Sequence, residues 1–163
     1  MTLQVRLGDI QHHSNILEAH VRMYFISKCS TQGNEIIPLN LIDMNVGFSS
    51  GQDRLLLVWP IIIEHRIDPK SPLWLMDKKA LAKADFELLV VFEGIVEPTG
   101  LLTQTKTSYT SQDIVWGARF EEIVYYDSLT GLTVDYSKFN SIILDNNIGP
   151  ISAIQLNTQY SED

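Results

Sequence analysis

Two stretches of this chain alternate apolar and polar residues with a period of two, and that alternation limits the fold more than any other feature. From Ile16 to Ser27 the odd positions Leu17, Ala19, Val21, Met23 and Phe25 are apolar, with Glu18, His20 and Arg22 between them. This is the pattern of a half-buried strand. From Phe86 to Glu97 every even position except Gly94 is apolar, while Glu87, Glu93 and Glu97 share the odd face with Leu89, Val91 and Ile95. The segment reads as a central strand with acidic ends. EIIPLNLIDMNV is a further extended segment, weakened by Pro38. SSGQDR (Ser49 to Arg54) is a turn before LLLVWPIIIEHRI, which reads as one buried strand with a β-branched end. Asp77 offers N-cap chemistry to a short helix in DKKALAKAD. PTGL (Pro98 to Leu101) turns the chain into LTQTKTSYT, and RFEEIVYY and LTVDYSKF, separated by Ser128 to Gly131, form a hairpin. About seven strands with turns between them and one short helix indicate an all-β protein, a β-sandwich. Residues 1–15 lack periodicity and read as a lead-in, 16–140 as the domain and 141–163 as a C-terminal tail.

Composition removes several function classes. A chain of 163 residues buries enough surface to hold a core unaided, and the lone Cys29 can make neither an internal disulfide nor a cysteine zinc cluster. The longest apolar run, Leu55 to Ile63, is interrupted by Pro60 and falls well short of the ~20 residues of a membrane helix. MTLQVRLGD lacks the apolar core of a secretory signal, so an intracellular location is expected. Twelve Lys and Arg against 20 Asp and Glu leave a net charge of −8, which disfavours a nucleic-acid module built on a basic face. A cationic partner fits better, although a negative surface also serves solubility. His12, His13, His20 and His65 have no metal-ligand spacing, and no nucleophile elbow or glycine-rich phosphate loop occurs. Glu18, Glu93 and Glu97 have no spacing specific to a glycosidase pair. No enzyme is expected.

Glu18 lies mid-strand on a polar face, and Glu93 lies between Phe92 and Gly94 in a strand too apolar to be an outer edge. A carboxylate in such a place needs water or a cation, because an unpaired buried charge costs too much. An intramolecular salt bridge would serve. So would a water-filled space lined with carboxylates, as a closed ring of subunits creates.

The segments NILEAHVRMYFI, EIIPLNLIDMNVGFSSGQDRLLLVWPIIIEHRID, SPLW, ADFELLVVFEGIVEPTG, SYTSQDIVWGARFEEI and VDYSKF, in that order, closely resemble the C-terminal cytoplasmic domain of inward-rectifier potassium channels. The resemblance runs from about Arg6 to Phe139. It implies an immunoglobulin-like β-sandwich that assembles as a four-fold ring, homomeric or heteromeric, and extends the K⁺ pathway of a transmembrane pore domain into the cytoplasm. It also implies that Mg²⁺ and polyamines held by acidic side chains block outward current. Glu18, Asp53 and Glu93 match those acidic positions, while a fourth falls at Ser49. Glu93 to Thr103 matches a gate loop at the top of the cytoplasmic pore. Within it Gly94 and Gly100 supply backbone freedom, Leu101 or Leu102 the apolar constriction, and Glu97 an expected partner for Lys106 across the hairpin apex. Lys106, with Arg22, matches positions that couple membrane phosphoinositide to the gate, although the stretch DIQHHSN lacks the basic pair usual in relatives. Asp9 matches a sodium-sensing aspartate whose accompanying arginine is missing here. A free-standing β-sandwich interaction module that kept the fold without the channel is the alternative.

Overall fold

The computed structural model describes all residues but 11–14, 31–35, 48–50, 52–53, 130, 146–147 and 162–163, and the backbone alone of 30, 160 and 161. Eleven strands and two α-helices are present among the described residues. The strands are β1 (Thr2–Leu7), β2 (Ile16–Ser30), β3 (Ile36–Met44), β4 (Arg54–Leu55), β5 (Ile61–Arg66), β6 (Phe86–Val96), β7 (Leu101–Thr110), β8 (Ala118–Phe120), β9 (Val124–Asp127), β10 (Gly131–Val134) and β11 (Ile142–Leu144). The helices are α1 (Lys78–Lys83) and α2 (Ala153–Ser161). Strands β3, β2, β6 and β7 lie side by side in one antiparallel sheet, with β4 beside β2, while β1 with β5, β9 with β10 and β8 with β11 form three further antiparallel pairs.

The two alternating segments become the two inner strands of the large sheet, β2 and β6. On one face Ala19, Val21 and Met23 are fully buried, Phe25 nearly so, and Phe86, Leu88, Val90 and Phe92 meet them from β6. Phe25 and Phe86 stack with ring centroids 4.7 Å apart. Each such side chain contributes about 1.5–3 kcal/mol of burial. Met44 of β3, Ile63 of β5, Leu73 and Leu81 complete the core, and Leu3, Val5 and Leu7 of β1 pack against it.

Several sequence readings change in the folded chain. The lead-in contains β1, paired with β5 from Thr2 opposite Arg66 to Leu7 opposite Ile61. Its Arg6 is buried and donates to the backbone carbonyls of Glu121, Lys138 and Phe139, with its guanidinium over the Phe120 ring. A stretch without alternation can still be a strand when its charged residue finds buried acceptors. The run LLLVWPIIIEHRI is two strands rather than one: β4 joins β2, and β5 joins β1. Pro60 cannot donate to a ladder and restricts the residue before it, so the chain turns between them and leaves Leu56, Val58 and Trp59 exposed. The C-terminal stretch carries β11, paired with β8, and α2, whose Gln155 carboxamide oxygen accepts from the Ser152 backbone N–H.

Asp77 caps α1, its carboxylate accepting from the Ala80 N–H at 2.7 Å, and Leu81 faces the core. Pro38 is tolerated because β3 is an edge strand. Glu97 to Gly100 turn β6 into β7. The hairpin expected of RFEEIVYY and LTVDYSKF forms only in part: RFEEIVYY divides between β8, which pairs with β11, and β9, which pairs with β10 with Val124 opposite Val134, and Tyr136–Lys138 form a 3-10 turn.

Candidate functional site

The face of the large sheet opposite the core carries a polar row across four strands. Backbone register sets it: Arg54 of β4 lies opposite His20 of β2, His20 opposite Glu93 of β6, and Glu93 opposite Gln104 of β7. Directly opposed residues have Cβ atoms about 5 Å apart, so their side chains interact. The next row on the same face is Arg22, Val91 and Lys106. Sequence alternation on β2 and β6 is therefore what brings Glu93, Arg22 and Lys106 together.

Glu18 joins the first row through an irregularity. The β2–β6 register shifts between Leu17 and His20, and Glu18 adopts φ 48°, in the left-handed region. Such a conformation costs a non-glycine residue about 1–3 kcal/mol. At this bulge the Glu18 carboxylate is exposed, with Oε2 3.8 Å from Nη1 of Arg54. Both side chains are more than half exposed, so the pair contributes at most about 1 kcal/mol. Glu93 is half-buried, and its Oε1 accepts a hydrogen bond from Nε2 of Gln104. Tyr24 beside it and, more weakly, Glu93 and Asp43 push the exposed Arg22 guanidinium above its ordinary pKa. The described part of this face thus mixes Glu18 and Glu93 with Arg22, Arg54 and Lys106.

The β6–β7 hairpin ends one turn beyond the row. Gly100 closes it at φ 65°, its N–H donating to the Val96 carbonyl at 2.8 Å, a backbone conformation that favours glycine. Leu101 and Leu102 follow, 66% and 74% exposed. Gly94 serves a different purpose from the expected flexibility: it is buried within β6, and a Cβ there would lie 2.3 Å from Cγ2 of Ile16. Close packing of β2 on β6 requires the glycine. The expected Glu97 to Lys106 pairing does not form, because Lys106 lies opposite Val91, well down the ladder from the apex. Instead the Glu97 N–H donates to the Asn15 carbonyl at 3.0 Å, and Nδ2 of Asn15 donates to Oε2 of Glu97 at 2.6 Å.

Asp9 is half-buried, and its backbone carbonyl accepts from the Tyr136 hydroxyl at 3.0 Å. Asp53 and Ser49 lie outside the described residues. Among the described residues no group of three or more His, Cys, Asp and Glu is arranged to hold a metal ion, and no helix is long and apolar enough to cross a membrane.

Sequence reasoning overlooked Gln104, Arg54 and Asn15 as partners of the acidic residues. Gln104 was within reach: once the turn pairs Val96 with Leu101, counting three residues back along each strand sets Glu93 opposite Gln104. Arg54 was not, because its pairing with β2 is long-range and its contact with Glu18 depends on the bulge.

One family matches the sequence over nearly its whole length. The model of the inward rectifier potassium channel C-terminal domain matches residues 1–161. The chain belongs to this family of channel domains, which is not a family of enzymes. Among curated proteins it is similar to inward rectifier potassium channel 4 of Homo sapiens, Mus musculus and Mesocricetus auratus, each 45% identical over 140 residues. That alignment covers 86% of this chain and 31% of each relative, so the chain spans about a third of the length of the curated relatives it matches.

Proposed function

We propose that this domain forms part of the ion pathway of an inward-rectifier potassium channel, on the cytoplasmic side of a membrane, as an immunoglobulin-like β-sandwich assembled in a four-fold ring. In this reading Glu18, Asp53 and Glu93 line the lumen and hold Mg²⁺ and polyamines, which block outward K⁺ flow. The observation that carries it is the polar row, in which Glu18 and Glu93 share one face of the central sheet with their carboxylates in reach of partners on neighbouring strands. Four-fold symmetry turns each carboxylate into a ring of four, and a ring in a narrow water-filled tube with low-dielectric walls concentrates cations. Screening over ~8 Å at physiological salt makes each ring act locally. Local action matters here, because Arg22, Arg54 and Lys106 share the face.

Exposed apolar side chains on the edge strand β3 support assembly: Ile37, Leu39 and Leu41 are 42%, 73% and 54% exposed, a continuous apolar strip of the kind that marks an interaction surface. The hairpin from Gly94 to Leu102 acts as the gate, with Leu101 and Leu102 as its apolar constriction. Arg22 and Lys106 couple a membrane phosphoinositide to it, and Asp9 is a candidate sodium-sensing position.

Light scattering of the purified chain with spermine tests the reading. A four-fold mass that binds spermine, and binds it more weakly after Glu18→Gln or Glu93→Gln, is the expected result. A monomer indifferent to spermine and to both substitutions would replace the pore with a free-standing interaction module.

A further inference from the structure

The two carboxylates of the polar row are held in different ways. Glu18 faces a cation, Arg54, at 3.8 Å between exposed side chains, so an incoming cation competes with a guanidinium for the same oxygens. Glu93 faces a neutral carboxamide: Nε2 of Gln104 donates to Oε1 and leaves the charge of the carboxylate in place. The β6–β7 ladder runs without a register shift from Glu87 opposite Thr110 to Val96 opposite Leu101, which keeps Gln104 directly across from Glu93. From the other side His20 of β2 lies opposite Glu93. One oxygen, Oε1, is thereby oriented by Gln104, and the exposed Arg22 guanidinium on the same face interacts with the carboxylate through space.

We infer that Gln104 determines which class of cation the Glu93 site prefers, by holding its carboxylate in one orientation suited to a compact divalent ion. The inference rests on the proposed role of Glu93 in cation binding. A divalent ion such as Mg²⁺ demands near-octahedral oxygen geometry, so groups that orient its ligands tune its affinity. A polyamine carries its charges along a flexible chain whose ammonium groups rotate to meet an acceptor, and it responds to the amount of charge more than to its direction. Gln104 changes the direction and leaves the amount unaltered. It is a positioning residue, acting through Glu93.

Gln104→Met removes the donor from an exposed position while keeping the length of the side chain. Isothermal titration of the purified chain with MgCl₂ and, separately, with spermine reads the consequence, with thermal unfolding of each variant alongside. The expected result is a loss of about tenfold in Mg²⁺ affinity, the usual effect of removing an orienting partner, with spermine affinity unchanged. Equal losses for both cations, or no loss for either, overturn the inference. Glu93→Gln separates this from the underlying reading: if that variant binds both cations as the unsubstituted chain does, or if the unsubstituted chain binds neither, Glu93 is not a cation site and both fall. If Gln104→Met unfolds, Gln104→Thr, which keeps β propensity but cannot reach Glu93, must show the same split between the two cations.

Discussion

Strands β2 and β6 present two faces built from the same alternating residues, and the two faces follow different rules. On the core face Val21, Met23, Phe25, Leu88 and Val90 are nearly or fully buried. Their packing decides whether the sheet exists. On the open face Glu18, His20, Arg22 and Glu93 meet Arg54, Gln104 and Lys106 through register, in solvent or close to it. Their arrangement contributes little to stability and, in the proposed function, holds the cation-binding groups. In the proposed reading the chain can therefore change its cation binding on one face at small cost to the fold, while the other face tolerates almost no change of volume.

Substitutions on the two faces break this contrast if it is wrong. The largest effect is expected on the core face: Leu88→Ala leaves a cavity beneath the sheet and lowers the unfolding free energy by about 2–5 kcal/mol. Urea titration measures it, and spermine affinity of the remaining folded protein stays as before. Next comes Gly94→Ala, which drives a methyl group into Ile16 and costs about 1–3 kcal/mol. Ile16→Ala in the same chain recovers part of that loss, because the two side chains compete for one space. Asp77→Ala lies away from both faces and removes the α1 cap, at a cost of about 1 kcal/mol. It calibrates an ordinary local defect, and its cation affinity is expected to be unaltered. The smallest effect on stability belongs to Arg54→Gln, below about 1 kcal/mol for so exposed a pair. That variant nonetheless frees Glu18 from its guanidinium and raises spermine affinity at low salt by about threefold, an increment of the size an exposed ion pair contributes. If spermine affinity falls instead, Arg54 holds Glu18 in place rather than competing for it.

Much of the large sheet was legible because alternation reports burial directly. Ala19, Val21, Met23 and Phe25 are inside, as their spacing requires, and the Asp77 cap and the turn after Val96 follow from local chemistry that needs no distant contact. Hydrophobicity alone misled at Leu56, Val58 and Trp59, where an apolar run is broken by Pro60 and left exposed. Leu17 shows a related limit: it continues the odd-numbered apolar series yet is 45% exposed, because the register shifts beside Glu18. A bulge changes which face a residue meets without altering the pattern of residue types. Arg6 was hidden for the opposite reason, since its burial depends on three carbonyls more than 100 residues away in sequence.

The acidic residues themselves, their places on two strands and the family they indicate are properties of the sequence, because side-chain alternation and short motifs are encoded locally. Which partner each carboxylate meets is a property of the tertiary structure. Glu18 meets a cation and Glu93 an amide because a bulge and a hairpin register bring distant strands together. Long-range pairing of this kind leaves no periodic trace in the chain, and a shift of one residue in the β6–β7 ladder would set Thr103 or Thr105 opposite Glu93 in place of Gln104.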